Sequence, residues 1–446
     1  MTAPRWFLPE RVLIDGDLVA GLAVAIDEAS GRIVAVQSPP DGADVLALPR
    51  QALLPGFVNA HSHAFQRALR GRTEHLRADR PDEDFWSWRE LMYDLALSLD
   101  PDRMYQIATG LYRELRAAGY TAVGEFHYLH HQATGAPFDD PVRMARQCID
   151  AALDAGLRIT LLLALYHTSA IGQPATDAQR RFVVPDLPPW FAMVDALLAD
   201  YGDHPRVNIG LAPHSIRAVP YAWLQQLAAF NRTRHLPVHM HLCEQTAEID
   251  QCVRAFGKAP IAVVHDAGLL DAHLTAVHAT WLAPDDPQRL ADAGATVCAC
   301  PTTEANLGDG VLPALALLSA GVPLCIGSDS HITVNPFEEL RLIENNERLR
   351  LRRRNVLAGL AQPHTAADTL RLAPGLLEIG ARHGARALGL GLDAGTIAPG
   401  QLADLVAVNL DDHALRDVPP EALPEALVFS ADTRCVTHTI VHGQLA

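Results

Sequence analysis

With 52 acidic against 36 basic side chains, the 446-residue chain carries a net charge of −16, which argues against nucleic acid as its partner. Its hydrophobic share of 49% and charged share of 20% are those of a soluble globular protein, with length enough for one large domain and a smaller one. No membrane span or signal peptide is expected: the best apolar run, Ile159 to Leu165, is far below the ~20 residues of a span, and Met1-Thr2-Ala3-Pro4-Arg5-Trp6 has no basic region followed by an apolar core.

Residues 1–54 alternate short β-like runs with turns, among them Arg11–Ile14, Leu22–Ile26 and Arg32–Val36, punctuated by Asp15-Gly16 and Ser30-Gly31. From 55 to 394 apolar runs alternate with helical stretches, the pattern of parallel β/α units. Eight strands are predicted, at Leu54–Ala60, Ala122–Phe126, Ile159–Leu165, Val207–Ala212, Val238–Leu242, Thr275–His278, Ala295–Ala299 and Leu324–Gly327. Helices are predicted over Arg103–Ala118, Val142–Ala155, Trp190–Ala199 and Pro336–Arg352. Residues 395–446 return to strand and turn patterning, with Ala403–Val408 and Thr437–His442 as the clearest runs. The expected fold is α/β: an enlarged (β/α)8 TIM-like barrel over 55–394, with a small β-sandwich domain formed by both termini, 1–54 and 395–446.

The chemistry is read at the strand ends. The first strand runs into His61-Ser62-His63, and residues i and i+2 of a strand face one side, so both imidazoles can reach one metal ion. The fifth offers His239 and His241, of which His241 is nearer the C-terminal end where a barrel keeps its active site, followed by Glu244. The sixth ends in His278 and the eighth leads to Asp329. Three imidazoles and one carboxylate suit a single Zn²⁺ with a water completing the shell, and Glu244 lies where it can serve as general acid/base. The cluster His127-Tyr128-Leu129-His130-His131 lacks a carboxylate and reads as a substrate loop. The only lysine, Lys258, lies away from every strand end, which removes a lysine-bridged metal pair. Cys298-Ala299-Cys300 reads as two same-face residues of a buried strand, and the basic run Arg348–Arg354 as a solvated helix face or subunit contact. The seven cysteines have no framework spacing, which suits reduced thiols in a cytoplasm.

His61-x-His63, His241-x-x-Glu244, His278 and Ser328-Asp329 resemble the amidohydrolase superfamily in its mononuclear deaminase branch. Longer strings are similar to the formimidoylglutamate deiminases within it: His61–Arg67, Phe85–Tyr93, Glu125–Tyr128, Ala212–Arg217 and Thr303–Gly310. The resemblance covers the whole chain. It implies hydrolysis of N-formimino-L-glutamate, a small anionic substrate, to N-formyl-L-glutamate and ammonia in L-histidine degradation, by a cytoplasmic homodimer using one divalent metal ion, zinc. By the same resemblance His61, His63, His241 and Asp329 hold the metal, Glu244 shuttles protons and His278 hydrogen-bonds the reacting centre, with Asp329 also taking the water's proton. Gln66, Arg89, Tyr128, His214 and Arg217 contact the substrate. The arginines suit it chemically, because planar guanidinium forks match carboxylates. The alternative is a mononuclear deaminase of a purine or related heterocycle. Cys243, inside His241-x-x-Glu244, departs from the expected pattern, and a thiol-sensitive but functional site is expected from it.

Overall fold

The computed structural model describes residues 3–76, 83–360, 370–391 and 393–445. Eight parallel strands form one nearly closed sheet, in chain order: Phe57–Ser62, Tyr120–His127, Arg158–Leu165, Val207–Pro213, Val238–Leu242, Leu274–His278, Thr296–Ala299 and Leu324–Ile326. Closure comes from the backbone, where Asp329 N donates to His61 O at 3.0 Å and His63 N to Asp329 O at 3.1 Å. Nearly all residues of these strands are buried, because helices cover the outer face and side chains fill the inner one. That is why the strands read as apolar runs.

The covering helices begin at capping residues. Asp100 accepts from Arg103 N at 2.7 Å to start Pro101–Ala117, and Asn335 accepts from Phe337 N and Glu338 N to start Pro336–Leu351. Arg143–Asp154 and Leu187–Tyr201 fill the other two predicted helical stretches. Asp84 caps Phe85–Ser98 in a capping box with Ser87, setting this helix across the barrel mouth.

A second eight-stranded sheet joins the termini. In it Leu405–Asn409 pairs antiparallel with Val45–Pro55, which pairs parallel with Arg5–Ile14. Leu54 and Pro55 therefore belong to this sheet, and the first barrel strand starts only at Phe57. Gly56 separates the two; a Cβ there would stand 2.2 Å from the Thr121 side chain. Among the described residues, no helix is long and apolar enough to cross a membrane.

Candidate active site

At the C-terminal ends of the barrel strands four side chains converge. His61 Nε2 stands 3.1 Å from His241 Nε2, and His63 Nε2 stands 3.3 Å from it. Asp329 Oδ1 is 3.5 Å from His61 Nε2 and 3.4 Å from His63 Nε2. A tetrahedral ion with bonds of ~2.0–2.1 Å spans ligand–ligand edges of about 3.3–3.4 Å, so the cage has the size of such an ion. The rings are also turned for one. His63 Nδ1 donates to Phe126 O and His241 Nδ1 to His214 O, both at 2.9 Å, which leaves their Nε2 lone pairs bare and facing each other. Burial holds all three imidazoles below the usual histidine range, which favours their neutral, ligand-competent forms, and His61 Nδ1 is buried without a partner. Bare lone pairs at this separation repel, and a shared cation removes the repulsion. The donor set therefore fits a divalent metal ion.

His278 stands beside the cage. Its Nδ1 bonds Glu304 Oε1 at 3.3 Å, and its Nε2 lies 3.8 Å from both Glu244 Oε1 and Asp329 Oδ2. Burial opposes charge on this ring, but the Glu304 bond and the fields of Glu244 and Asp329 outweigh it and hold it up to about 10. With Nδ1 engaged by Glu304, Nε2 is the nitrogen turned toward the cage, and His278 also groups with His61 and His241 closely enough to share an ion. Glu244 is itself raised, first by burial, against the opposing pull of His278 and Arg217. His278 and Asp329 both sit in the left-handed region, with φ of 73° and 45°, as does Cys243 at 57°. Such strain, costing roughly 1–3 kcal/mol per residue, collects where side chains must be aimed.

Above the cage lies a small cavity of about 50 Å³ that opens to solvent. Gln66, Arg89, Tyr128, His214, Arg217, Glu244, His278 and Asp329 all line it, together with His63 and His241, while His61 lies behind them. Gln66 Nε2 donates to the Tyr128 hydroxyl at 2.8 Å and its Oε1 is buried without a partner. The Arg217 guanidinium reaches Glu244 Oε2 at 3.3 Å, and Arg89 lies over Trp86, 4.5 Å from the ring centre.

Other residues singled out above fall elsewhere. Of the cluster read as a substrate loop, only Tyr128 enters the cavity. His127, His130 and His131 bond the carbonyls of Leu129, Ala164 and Val183 and are structural. His239 Nε2 donates to Ala387 O at 2.8 Å, a packed neighbour of the cage. Lys258 pairs with Asp266 on the surface. Arg348 and Arg350 cover the buried carboxylates Glu344 and Glu347. Cys243 and the other six cysteines are buried, and burial pushes the Cys243 thiol well above its usual value, so it is unreactive in the native fold, contrary to the thiol sensitivity expected of it.

The string Phe85–Tyr93 singled out in the sequence supplies Phe85, Trp88 and Tyr93 to an aromatic wall; its other members, Tyr166 and Phe182, were missed. Tyr166 directly follows a strand end and obeys the same rule that located His278; Phe182 carries no such signal. Glu304, inside the string Thr303–Gly310 but given no role there, holds His278, and Glu248, which was missed, flanks Arg217. Glu248 stands four residues after Glu244, in the first turn of the helix Thr246–Phe256.

A family model for the amidohydrolase family matches residues 52–446. The chain belongs to the amidohydrolase family. This amidohydrolase is 39% identical over 409 residues to the formimidoylglutamate deiminase of Pseudomonas aeruginosa, covering 91% of this chain and 86% of that relative. It is 28% identical over 440 residues to a 5-methylthioadenosine/S-adenosylhomocysteine deaminase of Halobacterium salinarum, covering 98% of this chain and 89% of that relative. Among solved structures, an amidohydrolase from Brucella melitensis superposes with a TM-score of 0.87 at 30% identity, over 99% of this chain and 94% of that one. The protein is a hydrolase acting on C–N bonds.

Proposed function

We propose that this amidohydrolase is a formimidoylglutamate deiminase, hydrolysing N-formimino-L-glutamate to N-formyl-L-glutamate and ammonia. The observation that carries the reading is that two guanidiniums, Arg89 and Arg217, line one small cavity with the His61–His63–His241–Asp329 cage and Glu244. A dicarboxylate with an amidine at its amino end has its two kinds of group met there: anions by the arginines, the reacting carbon by the cage. The 39% identity to the Pseudomonas aeruginosa deiminase supports the same substrate.

Zinc suits the three imidazoles and one carboxylate, and when bound it lowers the pKa of a water from 15.7 to about 7, supplying a nucleophile at neutral pH. Arg89 and Arg217 then hold the carboxylates and fix the formimino carbon over the cage, orientation that lowers a barrier by several kcal/mol. Asp329 keeps Oδ2 outside the cage, where it takes the proton released by the attacking water. His278 Nε2–H donates to the reacting centre as charge develops. Glu244 delivers a proton to the amino group, so that it departs as ammonia rather than as an amide anion. Gln66, Tyr128 and His214 supply further polar contacts in the wall.

The reading sets the enzyme in L-histidine degradation, in the cytoplasm and as a homodimer. A second reading, deamination of a purine-like heterocycle, is favoured by the aromatic wall and by the adenosine-type relatives. Two guanidiniums lining the pocket have no counterpart on a neutral ring, whereas they match the two carboxylates of a glutamate, which weighs against it. The test is ammonia release by zinc-loaded protein from N-formimino-L-glutamate, adenosine and guanine, before and after chelation. Activity on the first alone, lost on chelation and restored by zinc, is expected. Release from a purine and none from the formimino acid overturns the reading.

A further inference from the structure

We propose that Arg217 is a latch on Glu244: it grips the carboxylate as seen here and lets go when a substrate carboxylate draws it toward Glu248. The nature of that carboxylate rests on the deiminase reading, while the latch rests on the geometry. Arg217 Nη2 lies 3.3 Å from Glu244 Oε2, and both side chains are about 95% buried. Engaged in this way, one oxygen of the proton carrier is turned to a guanidinium and not to the reacting centre.

The alternative position is already built. On the other edge of the guanidinium, Arg217 Nε faces Glu248 Oε2 at 3.7 Å, and neither atom has a hydrogen-bond partner. Glu248 is wholly buried and its other oxygen accepts from Cys243 N at 3.1 Å, which anchors the acceptor. A buried polar atom left unpaired costs about 1–3 kcal/mol. Two such atoms facing each other mark a bond that a movement of less than an ångström completes. The plane of Arg217 is guided by aromatic rings, its Cζ lying 5.5 Å from the Trp86 centre and 6.0 Å from the Phe85 centre.

Trp86 also carries Arg89, which makes no ion pair among the described residues. A carboxylate attracted by that guanidinium arrives against the surface both arginines share. There it competes for the Arg217 Nη donors, which prefer a bidentate carboxylate to a single long contact. Arg217 closes onto Glu248 through Nε, keeping its charge paired, and Glu244 Oε2 is released toward the leaving amino group. No bond to carbon changes in this step; one ion pair is exchanged for two. An amidine without a carboxylate cannot make the exchange, so the latch discriminates through turnover as well as affinity.

Formamidine, the reacting group without any carboxylate, isolates the effect. With zinc-loaded full-length enzyme, glutarate should accelerate formamidine hydrolysis by about 10-fold, as expected for freeing a positioned acid/base. In Arg217→Gln, formamidine turnover should rise above the unstimulated wild-type rate by a similar factor of about 10, and glutarate should add nothing. Glutarate acting on the wild type only as an inhibitor overturns the latch. So does an R217Q enzyme of normal zinc content that is no faster on formamidine; if R217Q loses its zinc, the glutarate result on the wild type decides. Glutarate activation without any hydrolysis of N-formimino-L-glutamate would end the deiminase reading and leave the latch standing.

Discussion

Glu244 is the residue on which turnover depends, and its surroundings say how a substitution should behave. Its carboxyl is buried and raised by that burial, with Oε1 3.8 Å from His278 Nε2 and Oε2 3.3 Å from Arg217. It belongs to no cage edge, so its loss leaves the metal ligands intact. Glu244→Gln keeps the shape and removes the proton, and should lower kcat by ~10²–10⁴-fold, the usual weight of a positioned acid/base. Zinc content measured by atomic emission should stay at the wild-type value. A fall in zinc together with activity would instead make Glu244 part of the cage. Cys243, one residue before it, faces the opposite way in its consequences: its backbone N anchors Glu248 while its thiol is sealed in the core.

Between elements, the mouth of the barrel is held by buried carboxylates whose partners lie on other helices. Glu339, on Pro336–Leu351, accepts from Thr302 N at 3.1 Å and from Thr302 Oγ1 at 2.5 Å, fastening the helix Pro301–Leu307 that carries Glu304. Burial pushes Glu339 up to about 8, against the opposing bonds from Thr302. A folded-state value above the unfolded one means that the stabilising contribution is complete below the unfolded value near 4.5 and is lost as pH rises through about 8. Between pH 5 and pH 8 wild type should therefore lose on the order of 3 kcal/mol that Glu339→Gln does not lose. Chemical denaturation of both proteins at the two pH values measures the difference; parallel losses would mean that Glu339 is already ionised in the fold.

The same element scale explains what could be read from the chain. Each barrel strand is covered on both faces, so Arg158–Leu165 shows as an unbroken apolar run, and a polar residue closing such a run, as at His278 or Asp329, stands out. Leu54 was legible only as apolar. Its partner in the terminal sheet is Val406, and no local pattern announces a pairing across so many residues. The roles of Glu304 and Glu248 were hidden for a related reason: each residue acts on a side chain from another strand or loop, His278 or Arg217, so its own neighbours in sequence carry no trace of the contact. The histidines of 127–131 looked functional because residue type was weighed without partners, and the carbonyls of Ala164 and Val183 that hold two of them come from later in the chain.

For the whole molecule, the barrel and the terminal sheet are pinned together beneath the site, at the end of the barrel away from the cage. Arg158 opens the third barrel strand, and its Nε donates to Asp404 Oδ2 at 2.9 Å, with both side chains about 95% buried. Asp404 Oδ1 accepts from His442 N at 2.7 Å, and the Asp404 carbonyl accepts from Gly56 N at 2.9 Å. One aspartate thus links a barrel strand, the last strands of the chain and the junction where the first barrel strand leaves the terminal sheet. Removing one partner of such a pair strands the other charge without water, which costs about 3–5 kcal/mol, whereas replacing both with apolar residues costs far less. Asp404→Ala should therefore destabilise strongly, and Asp404→Leu combined with Arg158→Met should recover most of that loss. Urea unfolding read by far-ultraviolet circular dichroism compares the three proteins. The pin lies far from His61, His63, His241 and Asp329, so folded Asp404→Ala should retain its zinc and its kcat. A variant as stable as wild type would show that the two sheets are joined by their backbone pairing and apolar packing alone, and that the charges at their junction add nothing.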